Sequence, residues 1–264
     1  MTLRSQLGSV RSRLLSSVYS RPLPLKGRGP VVSFCFDDFP RSAFSVGGTI
    51  LKSFGVRGTY YAALGLMDST NALGDLLTRA DIDDLLRDGH ELGCHTFEHS
   101  SRRNVSLAAF ERDVSRGREA IHELTGTDSP NFSYPYGHLS IKAKRRIGSR
   151  MGSARGINGG INAPAADLNL LRANSLYGDI DQSRQVEALI MENSRLSGWL
   201  IFYTHDVRQN PSPFGCTPAL FDHTVASAKK SNCAILPVES ALALFRGHAD
   251  DRADCNLYKS AASA

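Results

Sequence analysis

From residue 31 onward the apolar positions fall into two alternating rhythms. Short runs rich in β-branched and aromatic residues predict strands at 31–36 (VVSFCF), 56–62 (VRGTYYA), 90–94 (HELGC), 131–134 (NFSY), 152–155, 168–174, 198–204 (GWLIFYT) and 233–237 (CAILP). Helical spacing fills the intervals at 42–54, 79–88, 107–124, 140–149, 182–195, 218–230 and 238–246. Thr217 before Pro218 is an N-cap and N1 pair for the sixth of these helices, and Gly89 is a C′ residue for the second. Strand–helix alternation of this length predicts one α/β domain whose largely parallel sheet is closed, or nearly closed, into a barrel. In such folds chemistry gathers at the C-terminal ends of the strands.

Ahead of this domain, residues 1–29 form a basic arm that ends in a Pro/Gly-rich joint at 21–30. The arm carries six Lys or Arg residues and no acidic one, so it accounts for more than the whole net charge of +5. Leu3, Leu7, Val10, Leu14 and Val18 recur at helical spacing, which predicts an amphipathic helix. Three readings of it stand: an extra helix packed on the domain, peripheral contact with an anionic membrane, or a cleaved targeting segment. The body, 30–246, is close to neutral and has no basic stripe with interleaved aromatics, which argues against nucleic-acid binding. The tail from 247 to 264 lacks periodicity and is expected to be mobile. No apolar run reaches the length of a membrane span, and no secretory signal pattern is present. The five cysteines are odd in number and lack a CxxC pair. The expectation is a cytoplasmic protein with reduced thiols, possessing an option to rest on the inner membrane face. Nothing in the sequence specifies an oligomer.

The first strand ends in two adjacent carboxylates, Asp37 and Asp38, within SFCFDDFPRSA. Like charges side by side cost free energy unless a cation sits beside them, although a solvated Asp/Pro turn is an alternative reading. GCHTFEHS places His95 and His99 at i and i+4 directly after another strand. Two His and one carboxylate form a ligand set for a divalent transition metal that keeps positions open for water and substrate. One aspartate then fits as ligand and the other as general base on a metal-bound water. LIFYTHDV sets His205 at the end of a further strand, aimed at the same mouth as a general acid, with a purely structural histidine as the alternative.

Together these segments resemble the polysaccharide deacetylases, the carbohydrate esterase family 4 that includes chitin, peptidoglycan and nodulation-factor deacetylases. The family's TFDDG corresponds to CFDDF at 35–39, its H-[ST]-x-x-H to HTFEH at 95–99, its R-x-P-Y to SYPY at 133–136 and its L-x-H-D to YTHD at 203–206. The resemblance spans about residues 30–245. It implies a distorted (β/α)7 barrel, Zn2+ or another divalent metal such as Co2+, and an acetylated saccharide as substrate. It further implies Asp37 as catalytic base, Asp38, His95 and His99 as metal ligands and His205 as general acid, with Pro135 and the backbone N–H of Tyr136 beside the oxyanion. The implied reaction is hydrolysis of an N-acetyl, less often O-acetyl, group on a sugar.

Three departures qualify the resemblance. Phe39 replaces a glycine and either meets the sugar or packs inside. Ser133 stands where the family has the arginine that braces the base, which leaves Arg155 or Arg172 as replacement. The D-W motif that orients the acid histidine has no clear counterpart, and Asp179 or Asp181 is the substitute expected. Two rival functions remain beside the deacetylase: a catalytically impaired glycan-binding or assembly protein, and an allantoinase-like cyclic amidohydrolase.

Overall fold

The structure is a computed structural model that describes residues 17–25 and 27–247. Of the arm helix expected over Leu3–Val18, residues up to 16 lie outside the described residues, as does the tail beyond 247. Among the described residues twelve strands run in chain order as β1 Pro22–Pro24, β2 Val31–Asp37, β3 Thr59–Ala62, β4 Thr70–Asn71, β5 Gly74–Asp75, β6 Glu91–Cys94, β7 Asn131–Ser133, β8 Ser153–Arg155, β9 Ala165–Asp167, β10 Asn174–Ser175, β11 Trp199–Thr204 and β12 Ala234–Ile235. The longer helices are α1 Thr49–Ser53 (continuing a π-helical turn, Ala43–Gly48), α2 Arg79–Arg87, α3 Leu107–Thr125, α4 Ile141–Gly148, α5 Ser183–Leu196, α6 Pro218–Lys230 and α7 Val238–Arg246. Thr217 and Gly89 act as expected: the Thr217 side chain accepts from Leu220 N, and Gly89 takes φ +79 just past α2. No described helix is long and apolar enough to cross a membrane.

The main sheet is parallel, in the order β10-β11-β2-β3-β6-β7-β8, with β12 pairing the first two residues of β2. This is the sheet of a distorted (β/α)7 barrel in a single domain. Successive side chains of a strand point to opposite faces, and this parity decides what enters the barrel. On β2, Val32, Phe34 and Phe36 join the core under the helices, while Val31 and Cys35 belong to the inner core, in phase with Asp37. On β11, Leu200 and Phe202 face the helices, whereas Trp199, Ile201 and Tyr203 line the interior, in phase with His205. Val238, Leu242 and Phe245 of α7 plug the barrel beneath Trp199. Above this plug lies a polar layer, where Glu91 accepts from Thr59 Oγ1 (2.8 Å), Asn131 Nδ2 (2.6 Å) and the Glu239 N–H that opens α7 (2.9 Å). Burial raises the Glu91 carboxyl above its ordinary value, although these hydrogen bonds oppose the shift.

The predicted strand at 168–174 does not form as one element. Asp167 turns the chain, its carboxylate accepting from Asn169 N and its carbonyl from Leu170 N. The segment nevertheless closes the ring: Leu168 and Leu171 exchange backbone hydrogen bonds with Ala154 of β8, and β10 then pairs with β11. The barrel is therefore distorted at this seam. Four short strands escaped the sequence pattern. The β4–β5 hairpin is too short for alternation to show, and β1, inside the Pro-rich joint, and β9 arise by pairing with each other.

Gly93 illustrates how the interior constrains the site. It pairs with Tyr61, and a Cβ at this position would stand 2.5 Å from the buried Tyr61 ring, whose face lies 5.0 Å from the Arg155 guanidinium. Gly93→Ala is expected to destabilise the fold by about 1–3 kcal/mol through overpacking. Thermal unfolding of the variant checks this; unchanged stability would show that the ring yields freely.

Candidate active site

Parity and register bring the chemistry to the C-terminal mouth of the barrel. Asp37 is the last residue of β2 and is 4% exposed. Asp38 and Phe39 follow in left-handed conformations, φ 61 and 51, so consecutive carboxylates leave the strand in different directions. Phe39 is wholly buried, its ring 4.9 Å from that of Tyr60; it packs inside and presents nothing to a ligand.

Asp37 faces Arg155, which reaches it from β8 across the barrel. The guanidinium is fully buried, lies between the rings of Tyr61 (5.0 Å) and Tyr203 (4.9 Å), and donates to Ser133 Oγ (2.6 Å) and Gly156 O (2.9 Å). Burial alone would lower the Arg155 pKa, but the Asp37 charge outweighs it and holds the guanidinium above its ordinary value. Ser133 and Arg155 are register partners on β7 and β8. The short serine at 133 thus leaves room for an arginine one strand away. Arg172, the other candidate, is exposed and donates to Gly159 O, away from Asp37.

Asp38 faces the histidines. Its Oδ1 lies 3.4 Å from His95 Nε2 and 2.9 Å from His99 Nε2, and its Oδ2 lies 3.9 Å from His205 Nε2. Burial would raise this carboxyl, but the approach of His95 and His99 outweighs it and holds the group well below the usual carboxylate range. One donor atom from each of Asp38, His95 and His99 falls within 4.8 Å of the others. Oδ1 is buried and receives no well-directed hydrogen bond. His95 Nδ1 donates to the Ser133 carbonyl at 2.8 Å, which fixes the tautomer whose Nε2 lone pair faces Asp38. A buried carboxylate oxygen short of donors, beside an imidazole oriented in this way, is a donor set that fits a divalent transition metal.

The loop holding His99 is built by a residue that the motifs did not single out. Asp113, on the inner face of α3, accepts from the N–H groups of Phe97 (3.3 Å), Glu98 (3.0 Å) and Ser100 (3.3 Å). Its signal in the sequence was an acidic residue on the otherwise apolar side of a helix. Gly117, one turn further along, lets α3 approach closely, since a Cβ there would stand 2.7 Å from the Thr96 carbonyl.

His205 follows β11, and its Nδ1 donates to the Phe214 carbonyl at 3.1 Å. That carbonyl is positioned by the fully buried Asp206, which accepts from Ser212 N (2.8 Å) and pairs with Arg208 Nε (2.7 Å). Asp179 and Asp181, expected to orient His205, do not do so. Both are exposed, and Asp179 caps the short turn Ile180–Gln182 by accepting from Asp181 N. The peptide carbonyl of a folded loop takes the place expected of a carboxylate. Pro135 begins a tight turn in which Tyr136 is left-handed, φ 58, with its ring 4.6 Å from that of His99. Asp37, Asp38, His95, His99, Tyr136 and His205 all open on one cavity of about 420 Å³.

The polysaccharide deacetylase family model matches residues 25–153. No curated protein matches the sequence. Among solved structures, the chain is similar to a family 4 acetyl xylan esterase from Clostridium thermocellum determined with a cobalt ion (TM-score 0.58, 20% identity, 82% of this chain and 92% of that one). It is also similar to the Xyl-CE4 domain of a multidomain xylanase from the hindgut metagenome of Trinervitermes trinervoides (TM-score 0.57, 18% identity, 83% and 92%). A third likeness is to the peptidoglycan deacetylase PdaC from Bacillus subtilis (TM-score 0.52, 12% identity, 83% and 93%). At these identities the likeness is one of fold, and it agrees with the barrel and strand order described above. The family model, the fold and the motifs at the barrel mouth agree in making this chain similar to the polysaccharide deacetylases.

Proposed function

We propose that the protein is a metal-dependent carbohydrate deacetylase that hydrolyses the acetyl group, N-linked in preference to O-linked, of a sugar unit. The observation that carries this reading is the division of the paired aspartates: Asp37 is committed to Arg155, whereas Asp38 converges with His95 and His99. Asp38, His95 and His99 would hold the metal, Zn2+ by preference or another divalent ion such as Co2+. When bound, the ion supplies Lewis-acid polarisation of the acetyl carbonyl and acidifies a water molecule.

The remaining work falls to side chains and one peptide group. Asp37 takes the proton of the attacking water, and Arg155, itself donating to Ser133 Oγ, holds its carboxylate in place while it does so. The N–H of Tyr136, in the left-handed turn beside His99, steadies the negative charge that develops on the acetyl oxygen. His205 delivers a proton from Nε2 to the leaving amine nitrogen, its ring oriented through Nδ1 by the Phe214 carbonyl. Water and amide are consumed; acetate and the free amine leave. The serine at 133 was the feature favouring an impaired glycan-binding protein, and it loses that force because Arg155 stands where bracing is needed.

Asp38→Ala and His95→Ala are expected to abolish stoichiometric metal binding. Asp37→Asn should retain metal and lose about 100-fold or more in turnover, as removal of a general base does. Metal content of the purified variants, with acetate release from a panel of N-acetylated saccharides, checks this. Loss of metal from Asp37→Asn but not from Asp38→Ala would reverse the two assignments. Arg155→Met leaves the Asp37 charge buried without a partner and should cost about 3–5 kcal/mol of stability. Pairing it with Asp37→Asn should restore most of that loss without restoring turnover; denaturant unfolding of the single and double variants measures the coupling.

A further inference from the structure

Beyond the groups that act on the acetyl, the cavity has an unusual wall. Its larger side chains are Leu66, Leu73, Tyr136, Ile157, Tyr177 and Phe214. Tyr136, Ile157 and Phe214 are among the few large apolar residues left exposed on the described surface, at 56%, 43% and 53%, and all three gather at this mouth. Asn71 is the one polar side chain of the lining outside the acid–base and metal-binding groups and the tyrosines. The Tyr177 hydroxyl is already engaged with Tyr203. Among the described residues no lysine or arginine lines the cavity, and Arg155 lies behind Asp37, closed to solvent.

The wall is also built in advance. Leu73 sits at the tip of the β4–β5 hairpin, where its N–H donates to Asn71 Oδ1 (2.7 Å) and Thr70 Oγ1 donates to Asp75 (2.8 Å). The hairpin is tied to the aspartate loop by Leu77 N on Phe39 O (3.1 Å). Opposite, Ile157 packs so closely on the left-handed Gly137 that a Cβ there would lie 2.3 Å from it. A glycan chain laid along this wall would turn hydroxyls away from water towards aliphatic carbon, leaving them without partners. A phosphorylated or nucleotide-linked sugar would set phosphate oxygens against an apolar wall that, among the described residues, offers them no lysine or arginine.

We propose, resting on the deacetylase reading, that the substrate is a short, uncharged saccharide carrying an apolar substituent next to the reacting sugar, an alkyl, aryl or acyl group that lies against Leu73, Ile157 and Phe214. Leu73 and Ile157 are then specificity-determining residues that select this group over further sugar units.

The test is calorimetric titration of the full chain with alkyl glycosides of glucosamine, from methyl to octyl, which already bear the free amine and are not consumed. A tetrasaccharide of glucosamine and uridine diphosphate glucosamine complete the series. Affinity should rise by about two- to fourfold per methylene over the first several carbons. The octyl glycoside should bind more tightly than the tetrasaccharide, and the nucleotide sugar more weakly than the methyl glycoside. Leu73→Asn and Ile157→Ser should each flatten the dependence on chain length. Equal affinities along the alkyl series, a slope unchanged in both variants, or preference for the tetrasaccharide or the nucleotide sugar would overturn the proposal. Acetate release from the N-acetyl counterparts, measured in parallel, addresses the deacetylase reading separately: acetate from none of them would count against that reading while the alkyl series still decides what the wall binds.

Discussion

A guanidinium wholly shut off from water, set against a carboxylate at the end of β2, is the contact on which the barrel mouth depends. Desolvating two charges gives back little net stability, but removing one partner strands the other at considerable cost. The pair is therefore better understood as a constraint than as a source of stability. With Arg155 held between the rings of Tyr61 and Tyr203 and hydrogen-bonded to Ser133, Asp37 has a fixed partner and orientation. Asp38, turned the other way by its left-handed backbone, is left to the imidazoles. Two neighbouring carboxylates of identical chemistry thus acquire different environments, the circumstance in which one residue type can fill two roles.

The same logic of parity and register extends through the interior. Positions in phase with Asp37 and His205 descend through Cys35 and Tyr203 to Trp199, where α7 seals the barrel. Polar groups above that plug satisfy one another around Glu91, so the carboxylates and imidazoles of the mouth rest on a hydrogen-bonded floor. Peptide carbonyls supply orientation as well: Ser133 O selects the His95 tautomer and Phe214 O that of His205. The side chains that build those loops, Asp113 and Asp206, touch no expected reactant, yet they decide where the imidazoles stand.

How much of this was legible in the sequence follows from the range of the interactions involved. Strands with strong apolar runs, such as VVSFCF and WLIFY, declared themselves, as did capped helices, because their signals are local. Asp37, Asp38, His95, His99 and His205 stood out because strand ends carry them and the barrel converges those ends. The broken strand at 168–174 was misread because the Asp167 turn competes with an apolar pattern that otherwise reads as extended. The choice between Arg155 and Arg172 depended on cross-barrel geometry: both are arginines near strand ends, and only the β7–β8 register places one beside Ser133. The expectation of Asp179 or Asp181 behind His205 failed for a related reason, since a backbone acceptor from a folded loop leaves no side-chain signature.

On the proposed division of the paired aspartates, Asp38 serves the metal and Asp37 does not. X-ray absorption at the metal edge of the cobalt- or zinc-loaded protein, combined with anomalous diffraction, distinguishes them. One ion bound by two imidazole nitrogens and one carboxylate, from His95, His99 and Asp38, is expected, with Asp37 still paired to Arg155. An ion bound through Asp37, with Arg155 displaced, or no ion at this site after loading, would contradict this division.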